Sequence, residues 1–86
     1  MIDVKLLKIQ ESPVMYKKYR ADVLIDEEVF KNVDFGDTRY SQFRDSTPLK
    51  LYSNLDHGDR ERLRLYHIRH KNNNGPAALL SKRFLW

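Results

Sequence analysis

Cysteine is absent from the 86 residues, so no disulfide can staple the chain and no thiolate can act as zinc ligand, nucleophile or redox group. Secreted disulfide scaffolds are excluded, and a reducing, intracellular setting fits the composition. Glycine is scarce, and Gly36, Gly58 and Gly75 stand isolated, which removes any glycine-rich phosphate loop. No apolar run approaches the ~20 residues of a membrane span. The start, Ile2-Asp3-Val4-Lys5, alternates where a signal peptide would stay apolar. The expectation is a soluble, unprocessed chain forming a single small domain over 1–86. At this length folding buries only about 60% of the exposable surface, so the core must be small.

What is present is positive charge, unevenly placed. Residues 1–43 hold 7 Lys+Arg against 8 Asp+Glu, and residues 44–86 hold 9 against 4. From Arg60 onward 7 basic residues face Glu61 alone, with His67 and His70 interleaved. Such asymmetry points to an acidic partner, nucleic acid or protein, with a merely solvated basic helix as the plainer account.

Periodicity divides the chain. Ile2 to Ile9 alternates as a half-buried strand until the Leu6-Leu7 doublet, which predicts a bulge. Pro13 turns the chain, and Tyr19, Ala21, Val23 and Ile25 then mark the apolar side of the clearest strand. Asp26-Glu27-Glu28 forms an acidic turn into a third strand, Val29 to Phe35, with Val33 and Phe35 sharing a side. Gly36 and Asp37 are expected to end that strand through turn chemistry. The strand region is thus 1–37. A long loop, 38–57, carries too many apolar groups for a disordered linker and is expected to pack, with one short helical turn near Ser41 to Arg44.

A basic helix follows over 58–72. Asp59 can cap its first free N–H groups, and Asn72-Asn73-Asn74-Gly75-Pro76 stops it. The tail, 73–86, is expected to contain a short second helix and ends Phe84-Leu85-Trp86. The fold class is therefore α+β: a small antiparallel three-stranded sheet, then one main basic helix and a short C-terminal helix or tail.

At 100° per residue, Leu63, Tyr66, His67 and His70 share one helix face, while Leu65 and Ile68 point nearly opposite. Arg60, Arg64 and Lys71 fill one flank and Arg62 and Arg69 the other. An ordinary surface helix has one apolar stripe. This one is expected to be gripped from two sides: by its own sheet, and by the 38–57 loop, the C-terminal aromatics or another protein.

Catalytic constellations are missing. His67-x-x-His70 lacks the further ligands that zinc needs. Ser53, Asp56 and His57 are too close in sequence to converge as a hydrolytic triad. No enzyme activity, metal, cofactor or small-molecule substrate is expected. The best chemical signal is arginine interleaved with aromatics, which serves phosphates and bases as well as protein interfaces. Candidate anion or nucleic-acid contacts are Arg60, Arg62, Arg64, Arg69, Lys71, Lys82 and Arg83. Candidate protein-interface residues are Leu65, Tyr66, Ile68, Phe84, Leu85 and Trp86.

Three motifs stand out together: Val33-Asp34-Phe35-Gly36 with Tyr40-Ser41; Arg60-x-Arg62-x-x-x-Tyr66-x-x-Arg69-His70-x-x-Asn73; and Gly75 with Leu80-Ser81-Lys82-Arg83-Phe84-Leu85-Trp86. In this order they resemble a family of small uncharacterised proteins encoded by large nucleocytoplasmic DNA viruses of algae and amoebae. The chain departs from that pattern at Pro48 to His57, which reads as an insertion. The resemblance implies a β-then-α fold and a viral setting, the virion and the host cytoplasm during assembly, and carries no activity with it. The expected role is a non-enzymatic minor capsid protein binding other capsid subunits. The alternative is a small nucleic-acid-binding protein associated with genome packaging.

Overall fold

Period-two alternation builds one antiparallel sheet from Val4–Glu11 (β1), Lys17–Ile25 (β2) and Val29–Asp37 (β3), in the order β1-β2-β3. Helices Arg60–Arg69 (α1) and Pro76–Phe84 (α2) follow, so the expected α+β architecture is the observed one. The structure, a computed structural model, describes residues 3–86, and Ile2, the expected start of the first strand, lies outside the described residues. No helix among the described residues is long and apolar enough to cross a membrane.

Strand pairing follows the side-chain pattern closely. The β1–β2 register shifts between Leu6 and Lys8, where the Leu6-Leu7 doublet breaks the alternation. The bulge leaves Leu7 in solvent and keeps both Leu6 and Ile9 against the core. Asp26 and Glu27 turn the β2–β3 corner with φ of 51° and 61°, the left-handed pair that suits the twist of a tight hairpin. On β2, Tyr19, Ala21 and Val23 are fully buried, as their spacing demands.

The core joins these residues to Phe35 of β3, Leu80 and Phe84 of α2, and Leu85. The helix that packs on β3 is therefore α2 and not the basic helix. Gly75 precedes it and Pro76 occupies its first turn, where the missing N–H costs nothing. The Phe35 and Phe84 rings lie 6.1 Å apart and 27° from parallel. Burying each such side chain contributes about 1.5–3 kcal/mol. Gly36 does not end β3 but lies within it, at φ 77°. A Cβ there would sit 2.9 Å from Leu85 Cδ1, so the glycine is what lets Leu85 approach the strand.

The 38–57 loop does pack, through polar groups. The helical turn expected at Ser41 to Arg44 does not form, because Gln42 bridges Asp56 in extended backbone, donating to Leu55 O at 3.2 Å and accepting from His57 N at 3.0 Å. The loop's helical turn is instead a 3₁₀ segment, Ser53–Leu55. At the centre sits the buried carboxylate of Asp45. It accepts from Tyr19 Oη at 2.5 Å, Thr47 Oγ1 at 2.6 Å, Thr47 N at 3.0 Å and Tyr52 N at 3.1 Å. Burial works to raise its pKa, but the bonds from Thr47 and Tyr19 and from the backbone prevail and hold it below the usual carboxylate range. Burial, reinforced by the bond to Asp45, pushes the Tyr19 phenol up to about 12. Next to it Lys18, 2% exposed, donates to Tyr40 O at 3.0 Å and to Gln42 Oε1. Burial lowers the pKa of this ammonium, opposed by Asp37, Asp45 and Asp56.

Two stability tests follow from these contacts. Replacing Asp45→Asn puts an amide against hydroxyl and backbone donors and is expected to cost about 3 kcal/mol in urea unfolding, with Tyr19→Phe costing about 1 kcal/mol and the pair less than additive. Because the Asp45 carboxyl titrates lower folded than unfolded, its contribution is present above the unfolded value of about 3.9 and fades as pH falls through the folded one, a limb that Asp45→Asn removes. Substituting Gly36→Ala combines a left-handed φ with the Leu85 clash and is expected to lower stability by about 2 kcal/mol, read from the same unfolding curves.

Candidate functional site

Asp59 starts α1 as expected, accepting from Glu61 N at 2.9 Å and Arg62 N at 3.2 Å. The far end is closed by a residue from α2: Lys82 Nζ donates to His70 O at 2.7 Å and Asn73 O at 2.9 Å. A cation is favoured at a helix C-terminus, and Lys82 is spent there instead of on an external anion. No α1 residue is buried.

Rings hold the helix in place. The Tyr66 and Trp86 rings stack 4.3 Å apart and 3° from parallel, His70 lies 4.3 Å from Tyr66 on centroids, and His57 lies 5.2 Å from Trp86. His67 Nε2 is 2.9 Å from Trp86 O. Trp86 in turn packs against the core, so α1 reaches the sheet through the tail and does not lie on it directly. This corrects the expectation of a direct sheet contact: the tail fills the space between them.

The interface candidates separate accordingly. Phe84 and Leu85 are buried in the chain's own core, which corrects their placement on an external contact. Tyr66 and Trp86 are half-buried against each other. Leu65 and Ile68 remain 40% and 51% exposed on the outer face of α1.

Between β3, α1 and the start of α2 lies a groove of about 670 Å³. Phe35, Gly36 and Leu85 supply apolar lining, and Arg62 and Arg69 line it from one α1 flank. The other flank, Arg60, Arg64 and Lys71, lies outside the lining. Arg64 there pairs with Glu61 at 2.5 Å, and Arg83 lies over the Phe84 ring at 5.0 Å. Lys17, Tyr40, Ser41, Asn73 and Ser81 also line the groove and are absent from the contact residues expected from charge. The signal that marks four of them is motif membership: Tyr40-Ser41, Asn73 and Ser81 belong to the segments singled out above, and those segments converge here with Asp34, Arg62, Tyr66 and Trp86.

The groove's two carboxylates are already neutralised. Asp34 takes Arg20 at 3.1 and 3.2 Å and Ser12 Oγ at 2.7 Å, bonds that hold its carboxyl below the usual range. Asp37 takes the Arg39 side chain at 2.8 and 3.0 Å and its backbone N–H at 2.9 Å, which lower its carboxyl to about 2. Arg62 donates a single bond, to Ser41 Oγ at 3.1 Å, and Arg69 and Lys17 have no side-chain hydrogen bond among the described residues. The uncommitted charge in the groove is positive.

No family model matches the chain, and neither a curated protein nor a solved structure matches it.

His57 lies outside the groove's lining but against Trp86 and the start of α1. Its Nδ1 accepts from Asp59 N at 2.9 Å and its Nε2 is buried without a partner among the described residues. Burial, then the nearby Arg62 charge, lowers its pKa. A histidine held neutral contributes stability that is present above its unfolded value of about 6.5 and is lost as pH falls through the folded one. Trp86 is the only tryptophan, so its fluorescence is expected to change below pH ~6.5 as α1 loosens. His57→Asn, which keeps an acceptor toward Asp59 N and cannot be protonated, should reduce that change.

Proposed function

We propose that the chain is a non-enzymatic component of a virus particle, a minor capsid protein that binds other capsid subunits through the outer face of α1. The observation that carries this reading is the division of that helix. Its inner side is committed to Trp86, whereas Leu65 and Ile68 stay in solvent on the other. Exposed apolar side chains cost a soluble chain little singly, but a pair on one face of an ordered helix is a ready centre for a protein contact. Arg60 and Lys71 border that face on the flank away from the groove, so the matching partner surface is apolar with an acidic edge. A stable contact covers about 800 Å² on each partner. The outer face of α1 is therefore the middle of a larger footprint. The viral setting is supported by the motif resemblance.

The test is incorporation. Purified particles of the host virus should contain the chain at a fixed copy number, and Leu65→Asp with Ile68→Asp should reduce incorporation at least about tenfold while leaving the folded spectrum unchanged, since both side chains are exposed. Absence of the chain from particles, or normal incorporation of the double variant, overturns the reading.

A further inference from the structure

We propose that the groove between β3 and α1 is a binding site for single-stranded nucleic acid, held by its phosphates on Arg62 and Arg69 with a base on Tyr40. The site is separate from the outer face of α1 and does not rest on a place in a viral shell.

The electrostatics come first. Six charged residues line the groove: Asp34 and Asp37, each satisfied by an arginine from outside it, Lys18, whose ammonium is spent on Tyr40 O and Gln42, and Lys17, Arg62 and Arg69, which have donors to spare. A guanidinium offers five N–H donors, and one bond to Ser41 leaves Arg62 most of them. Phosphate is the anion that guanidinium meets best, through paired N–H···O bonds. Lys17 adds a third uncommitted positive charge to the lining. α2 opens on the same groove with no side-chain cap, and the partial positive charge of its first turn adds to that of the arginines.

Spacing then selects among phosphate ligands. Arg62 and Arg69 are seven residues apart on one flank of α1, which separates them by about 10 Å along the axis. That is more than one phosphate group spans and within the reach of linked phosphates along a strand. The groove's volume, about 670 Å³, is that of a small-ligand site, enough for one strand and too little for a duplex. An aromatic platform completes the set. Tyr40 lines the groove yet is 66% exposed, and the Arg39 guanidinium lies 5.9 Å from its ring centroid. An exposed ring beside a cationic track is the arrangement on which unpaired bases stack.

The experiment measures binding of the full chain to fluorescein-labelled oligothymidylate and oligouridylate of about ten nucleotides at about 50 mM salt. The wild type should bind with an affinity that falls as salt rises. Arg62→Ala with Arg69→Ala should weaken binding at least about tenfold and flatten the log–log salt slope by about 1.4, which is 0.7 for each phosphate lost. Arg60→Ala with Lys71→Ala removes the same charge from the opposite flank and should change affinity by less than about twofold. Tyr40→Ala should weaken binding about fivefold or more. Arg69→Ala alone, which breaks no hydrogen bond among the described residues, keeps the test valid if loss of the Arg62–Ser41 bond disturbs α1. Binding of either strand supports the site, and a preference between them names the nucleic acid. Equal losses in the two double variants, no salt-sensitive binding by the wild type, or equally tight binding of a polyglutamate peptide overturns it.

Discussion

A charged carboxylate buried in a protein this small is tolerated only if its desolvation is met by donors, and Asp45 is met by four. Tyr19 is the donor that matters most for the fold, because it belongs to the central strand and to the apolar core at once. Its ring packs on Phe35 and Tyr52, while its hydroxyl reaches both Asp45 and, as acceptor, Leu51 N at 2.9 Å. With Lys18 beside it, this side chain fastens a 20-residue loop with almost no secondary structure of its own to the sheet. Everything downstream uses that anchor. The backbone of the same loop bonds the tail at Arg44 N to Leu85 O and Ser46 N to Phe84 O, and its first residues place Tyr40 and Ser41 at the groove.

Sheet and helix caps were readable because they depend on neighbours in sequence. The alternation at Tyr19, Ala21 and Val23, the doublet at Leu6-Leu7, Asp59 ahead of α1 and the Asn72 to Pro76 stop after it each declare a local geometry. The loop was not readable for the opposite reason. Lys18, Gln42, Asp45 and Thr47 look like surface residues one at a time, and only their mutual hydrogen bonds make them interior. Residue type alone cannot signal a satisfied buried network, since its partners lie up to 32 positions apart.

The candidate site was half legible. A helical wheel separates Arg62 and Arg69 from Arg60, Arg64 and Lys71, which is the division the groove respects. It does not say which apolar face turns inward, and the tail decides that: Trp86 takes the Tyr66 side and leaves Leu65 and Ile68 outside. Phe84 and Leu85 look like contact residues by position and are core residues by packing, because α2 rather than α1 covers β3. Lys82 likewise belongs to the basic count of the tail, yet its charge ends on two backbone carbonyls.

The stacking of Tyr66 on Trp86 also orders events in time. Trp86 is C-terminal to α1, so in a chain emerging in sequence order the strands pair and α1 winds, with the Arg62–Ser41 bond to hold it, before the ring that stacks on Tyr66 is present. The groove is complete only when the Trp86 ring stacks on Tyr66 and Leu85 settles into the space that Gly36 leaves open. Its assembly depends on contacts of long sequence separation, which form slowly. A nascent or shortened chain would present a sheet and a loose basic helix, and would acquire its recognition surface all at once when the tail docks.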